Sequence, residues 1–336
     1  METSFEIFGL TGYRLGLFAA IGVLLLLAAM LLLARKRKVQ PASVCVLAIC
    51  GMVCGIVFAR LFYCLINLSE FVEAYENPLL MLRFFDGGLS VAGLLCGLLV
   101  AVPLAAAVCK EKCAELADLL FVPMGLLFAF VYLGQQDTGL GIGKIVEEGS
   151  LTAAMPWLFL SERMGINVEY RMLVYLYQAA LCLLMALVML PLYLVWQKKD
   201  GFRAGETAMV SLGLYGAAMV VLESLRDDGH MLIIFLRIGQ VVAALLPMVS
   251  LIVLSIRCRR LIGKANASYV LAWVCVILYI AGIAILEFAL DGRLAMVEAT
   301  AGQYYAVMAA LSALMAVLVF LMHGRVMRLR AAGEAA

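Results

Sequence analysis

A carboxylate and a guanidinium stand three residues apart near the end of a long apolar run, at Glu223 and Arg226. Residues i and i+3 share one helix face, so the two can pair. Charged groups at or inside such runs are expensive in lipid, which makes them functional candidates. Two readings follow: an ion pair lining a polar cavity, or a solvated salt bridge at a helix end. Arg60 ends an earlier apolar run in the same way, as an interface anchor or an anion ligand. The stretch from Gly134 to Lys144 holds Gly134, Gly139, Gly141 and Gly143. Repeated glycines let backbone amides approach an anion closely. The stretch lacks the spacing and the preceding strand of a nucleotide loop, and its plain reading is a flexible re-entrant turn. Arg237 and Glu287 read as residues that snorkel from a single helix, without a role.

Other chemistries find no support. His230 and His323 have neither a nucleophile nor a metal set nearby in sequence, so no triad can be assembled. The chain has 10 cysteines, and Cys50/Cys54 and Cys109/Cys113 are i, i+4 pairs. No His or carboxylate set completes a zinc shell around them, and none of the ten sits clearly in an outside loop. They read as small apolar packing residues. Nothing calls for a cofactor or a metal.

These groups must be positioned by helices in a membrane. The hydrophobic fraction is 66%, well above that of an ordinary soluble domain. Apolar runs long enough to cross a bilayer as helices occur nine times. They are Leu15 to Leu33, Val44 to Phe62, Gly88 to Val108, Leu116 to Leu133, Leu173 to Trp196, Thr207 to Leu225, Leu232 to Ile256, Tyr269 to Leu290 and Tyr304 to Met322. With the N-terminus outside, sixteen of the 25 basic residues fall in five short inside segments, at 35–38, 110–112, 198–203, 257–264 and 325–330. This asymmetry predicts an outside N-terminus and an inside C-terminus, and it reads as a topology signal rather than a nucleic-acid site. The first run is too long for a signal-peptide core and has its basic cluster on the wrong side, so it is expected to stay in the membrane. The fold class is an all-α polytopic integral membrane protein of about nine transmembrane helices.

Two outside segments exceed a turn. One runs from Tyr63 to Gly87, with an interfacial helix expected over Leu79 to Phe85. The other runs from Gly134 to Arg171, with Trp157 as an interface anchor. Long connections of this kind usually carry function. Residues 1–256 form a seven-helix core, and residues 257–336 form a basic linker and an appended two-helix extension.

Several short motifs then line up: Ala59-Arg60-Leu61-Phe62-Tyr63, Asn77-Pro78-Leu79, Gly87-Gly88-Leu89-Ser90-Val91-Ala92-Gly93, Gly134-Gln135, Leu176-Tyr177-Gln178-Ala179, Tyr215-Gly216, and Glu223-Ser224-Leu225-Arg226-Asp227-Asp228. In this order and spacing they resemble the prolipoprotein diacylglyceryl transferase family over about Leu15 to Ile256. The resemblance implies a protein of the bacterial inner membrane. Its partners would be phosphatidylglycerol and a prolipoprotein signal peptide, and its site would lie at the outer leaflet. The diacylglyceryl group moves to the thiol of a lipobox cysteine, and glycerol-1-phosphate leaves. Carried over residue by residue, the resemblance implies catalytic roles for Glu223 and Arg226. It implies substrate-binding roles for Arg60, Tyr132, Gly134, Gln135, Gly139, Gly143 and Gly216.

The chain departs from the family pattern in several places. A family His falls on Ala92, the loop arginine on Tyr132, the following asparagine on Gln135 and the loop glutamate on Leu140. A second arginine, four residues before Glu223, falls on Met219, and a His-Pro falls on Met172-Leu173 after a retained Arg171. Arginine suits phosphate because its fork meets two oxygens, and each lost donor weakens stabilisation of the leaving group. Two readings follow: a divergent transferase, or a degenerate relative that binds phospholipid or lipoprotein without turnover. A transporter reading is set aside, because the spans carry few mid-membrane charges and no repeat symmetry.

Overall fold

The computed structural model describes residues 4–7, 10–69, 71–72, 81, 83, 87–136, 138–164, 167–233, 236–264, 266–294 and 300–334. In chain order, a hairpin of β1 (Ser4–Ile7) and β2 (Leu10–Tyr13) leads into helices α1 (Arg14–Arg37), α2 (Pro41–Ile66) and α3 (Val91–Cys109). Next come α4 (Cys113–Phe121) and α5 (Met124–Leu133), then β3 (Ile142–Val146), a short α6 (Ser150–Ala154), β4 (Phe159–Met164) and β5 (Asn167–Leu173). The chain continues through α7 (Val174–Trp196), α8 (Glu206–Ser224), the strands β6 (Leu232–Ile233) and β7 (Leu236–Arg237), α9 (Ile238–Ile262), α10 (Ala267–Leu290) and α11 (Ala301–Glu334).

Eight of these helices are long and apolar enough to cross a bilayer, or nine when α4 and α5 count as one bent span. That bent pair falls on the apolar run from Leu116 to Leu133. It breaks at Val122-Pro123, where the helices meet at 41°; proline lacks the N–H of a helix interior and crowds the preceding turn. Mid-helix residues such as Leu24, Leu187 and Ile277 point outward and are exposed, as a lipid-facing surface requires. Helices approach through small residues: Gly93 and Gly97 of α3 lie against the backbone of Phe58 and Cys54 on α2. α5 packs between α1 and α7, and α8 runs along α9. α11 packs on α8 and α9 as well as on α10.

The segment from Gly134 to Arg171 leads through an antiparallel sheet in the order β3-β5-β4, which helix-scale hydropathy does not reveal. The seventh helix starts later than its apolar run, at Ile238, because β6 takes Leu232–Ile233 and β7 takes Leu236–Arg237. Most of the interfacial helix expected over Leu79 to Phe85 lies outside the described residues, as does the Asn77-Pro78-Leu79 motif.

Candidate functional site

Glu223 closes α8, and the chain turns at once into Arg226, whose backbone pairs with Gly143 of β3. Two hydrogen bonds seal this junction: Lys144 N–H donates to Leu225 C=O at 3.1 Å, and Asp227 N–H donates to Ile142 C=O at 2.8 Å. The glycine-rich stretch is thereby sewn to the end of α8. Any side chain at Gly143 would strike Val174 and Met172, which is why the junction takes glycine there.

Glu223 and Arg226 are both buried and pair at 3.3 Å, so the solvated-salt-bridge reading is excluded. Gln178 on α7 donates to the same Glu223 oxygen at 2.7 Å. Gly239, at the start of α9, leaves room for the Glu223 carboxylate; a Cβ there would sit 2.5 Å from Oε2. Arg226 also grips Asp228, through Nη2 at 2.5 Å and Nε at 3.0 Å. Asp228 accepts further bonds from the Gly141 amide at 2.7 Å and from Arg237 at 2.8 Å. The anion met by an amide of the glycine-rich stretch is thus the protein's own carboxylate. Arg237 is a member of this cluster, not a snorkelling residue.

Burial works against charge on Asp228. The Arg226 charge, the Gly141 amide and the Arg237 charge outweigh it and hold the carboxyl below its ordinary 3.8. Burial would also weaken Arg226 as a cation, but Glu223 and Asp228 reverse that and raise its basicity. Two guanidiniums and two carboxylates in contact leave the cluster formally neutral.

The small cavity against Glu223 is lined by Ala92, Tyr132, Tyr215 and Met219 among others. Ala92, Tyr132 and Met219, three of the positions at which the resemblance expects other residues, converge on this one carboxylate. The Tyr132 and Tyr215 hydroxyls meet at 3.2 Å, filling the space with a neutral pair. On the other side of Val91 lies an apolar cavity of about 340 Å³ between α1, α2, α3 and α5. Ser90, Gln135 and Leu140 are part of its wall. Gln135 is buried, and its Oε1 has no hydrogen-bond partner among the described residues.

The remaining expected site residues fall nearby with other contacts. Arg60 is buried and donates to the carbonyls of Met81 at 3.0 Å, Gly87 at 2.6 Å and Gly88 at 3.3 Å. It braces the segment that enters α3. It is linked to the Glu223 cluster through Tyr63, whose ring stacks on His230 at 5.6 Å. Gly134 caps α5 against α1, and Gly139 stands at φ +77° with open space around it. Gly216 lies against the Ala243 carbonyl and lets α8 approach α9. Arg171 pairs with Asp227 at 3.4 Å. Reasoning from sequence named no role for Asp228, Gln178, Arg237 or His230. The Asp227-Asp228 and Tyr177-Gln178 motifs held the signal for two of them.

Fold and site together define a polytopic membrane protein with a buried carboxylate–guanidinium cluster beside an apolar chamber. The chain belongs to the prolipoprotein diacylglyceryl transferase family, whose sequence model matches residues 2–256. It is 24% identical over 230 residues to the phosphatidylglycerol–prolipoprotein diacylglyceryl transferase of Clostridium tetani, covering 67% of this chain and 84% of that one. It is 25% identical over 227 residues to the Symbiobacterium thermophilum protein of the same name, covering 68% and 81%. It is 27% identical over 234 residues to that of Nostoc sp., covering 68% and 79%. Helices α10 and α11 lie beyond the family match.

Proposed function

We propose that this protein takes phosphatidylglycerol from the bilayer and passes its diacylglyceryl group to the cysteine thiol of a lipobox peptide. The observation that carries the reading is the apolar chamber between α1, α2, α3 and α5, walled from the Glu223 cluster by Val91 and carrying the unpartnered Gln135 oxygen. Acyl chains fill the chamber, and a headgroup hydroxyl donates to Gln135. Glu223 accepts the thiol proton. The thiolate forms a bond to the terminal glycerol carbon of the diacylglyceryl unit, the carbon–oxygen bond to phosphate breaks, and glycerol-1-phosphate leaves with the bonding pair. Arg226 and Arg237, in the Glu223 cluster, supply the cations for the developing phosphate charge.

A specific observation favours a second reading, in which the lipid is bound and not transferred. Ala92, Tyr132 and Met219 line the cavity at Glu223 where the family pattern has basic groups. Both guanidiniums there are already matched by carboxylates.

The test is incubation of the purified protein with phosphatidylglycerol labelled in its diacylglyceryl part and a lipobox peptide. Label on the peptide, lost in Glu223→Gln, is the expected outcome. Saturable lipid binding without label on the peptide establishes the second reading. Absence of both sinks the two together.

A further inference from the structure

The two helices beyond the family match grip α8 at both of its ends. At the inner end, fully buried Glu206 of α8 accepts Arg330 of α11 at 2.7 Å and Arg257 of α9 at 3.0 Å. Arg330 also donates to Gly201 C=O at 2.7 Å. At the outer end, Ser224, the residue after Glu223, donates through Oγ to Glu287 of α10 at 2.6 Å. Its backbone carbonyl accepts the Tyr305 hydroxyl of α11 at 3.1 Å. Glu287 is buried and is held by a second neutral donor, Gln240 Nε2 of α9, at 2.6 Å.

The last carbonyls of a helix have no partner within it. At membrane depth an unsatisfied one is costly. A buried carboxylate that, among the described residues, is held by neutral donors is also an expensive thing to keep in a span, and such residues mark function. Glu287 and Tyr305 therefore do something for the turn that carries Glu223. The same turn runs into the β3 junction, where the Lys144 ammonium sits 5.4 Å over the Tyr305 ring.

We propose that α10 and α11 form a bracket that sets the outer end of α8, and that Glu287 is a positioning residue holding Ser224, and so Glu223, against the β3 junction. The inference rests on the proposed function only for its catalytic consequence. The bracket itself has a separate readout: the Lys144 and Asp227 amides close the junction, and their exchange with solvent reports its opening.

Full-length protein in lipid nanodiscs is compared as wild type, Glu287→Leu and Glu287→Gln, by hydrogen exchange and by the transfer assay. Leucine removes the acceptor; glutamine keeps an oxygen for Ser224 and Gln240. The expected result for Glu287→Leu is exchange at Lys144 and Asp227 faster by about tenfold or more, with α2 and α3 unchanged. Transfer then shows a lower kcat at unchanged KM for lipid. Glu287→Gln restores both. Exchange in Glu287→Leu within about twofold of wild type overturns the bracket. So does acceleration spread equally over α2 and α3, which is general loosening. A wild type that transfers nothing sinks the functional reading alone, and the exchange result still decides the proposal.

Discussion

At the scale of single residues, a formally neutral cluster is buried at the end of α8, where the protein shields its charges from solvent. Removing one member strands the others. Arg226 touches both Glu223 and Asp228, so Arg226→Ala leaves Glu223 without this cation and Asp228 with Arg237 in its place. Breaking a buried pair from one side typically costs about 3–5 kcal/mol. The expected outcome is a large drop in thermal midpoint in detergent for Arg226→Ala, and a much smaller one for Glu223→Gln, which keeps an acceptor for Gln178. Equal midpoints for the two variants would count against the cluster as drawn. The departures from the family pattern give a second prediction. Met219 is one helical turn before Glu223 and lines its cavity, so the guanidinium of Met219→Arg reaches that carboxylate. One restored donor at developing charge is worth about 10²–10³ in rate. Transfer by Met219→Arg is expected to exceed that of wild type. No gain, with the protein folded, would mean that phosphate does not meet this cavity.

At the scale of elements, the positions of the spans were legible because lipid demands long unbroken apolar runs, and most boundaries fall within a turn of expectation. The bend at Val122-Pro123 and the β3-β5-β4 sheet were not legible, since hydropathy averaged over a span hides a single proline and short strands. The site followed the same rule. Glu223 and Arg226 announce their pairing by local spacing, whereas Gly141–Asp228 and Ser224–Glu287 join residues far apart in sequence, with no periodicity to betray them. Gly216 shows how an element contact can look like a site residue. It permits close approach to the Ala243 backbone, which cannot give way. Gly216→Val is expected to separate α8 from α9 and destabilise by about 1–3 kcal/mol, the usual range for overpacking, read as a lower midpoint with the Gly134 end of α5 untouched. The outer connection adds a pH dependence. Burial first, then the Arg226 charge, holds His230 below its ordinary 6.5, so the folded state favours the neutral ring. Its contribution to stability is complete above 6.5 and is lost as pH falls from there through the lower folded value. Wild type should therefore lose midpoint on acidification below 6.5 more steeply than His230→Gln. Parallel curves would remove His230 from the account.

At the scale of the whole molecule, the question is which way the cluster faces. The structure places the charged ends unequally. The end of the bundle holding Glu223 and the β3-β5-β4 sheet joins Arg171, Arg226 and Arg237 to acids. The opposite end carries the clusters at 35–38, 110–112, 198–203 and 257–264, with several members exposed, Lys112 among them. At that end Arg257 and Arg330 meet Glu206, and Lys112 meets Glu115 at 3.9 Å. Short loops rich in Lys and Arg stay in the cytoplasm. On the proposed orientation the C-terminus of α11 lies inside and the Glu223 cluster at the outer side of the membrane, where an exported lipobox peptide would present its cysteine. A fluorescent protein fused after residue 336 is expected to fluoresce, since it matures only in the cytoplasm. A cysteine placed in the exposed turn at Gly229, in a variant whose native thiols have been replaced, is expected to react with an impermeant maleimide added to intact spheroplasts. The reverse pattern, a dark C-terminal fusion and a protected Gly229 position, would turn the molecule over. The chamber and the cluster would then face a compartment that holds no translocated peptide, and the transfer reading would fail whatever the chemistry of Glu223.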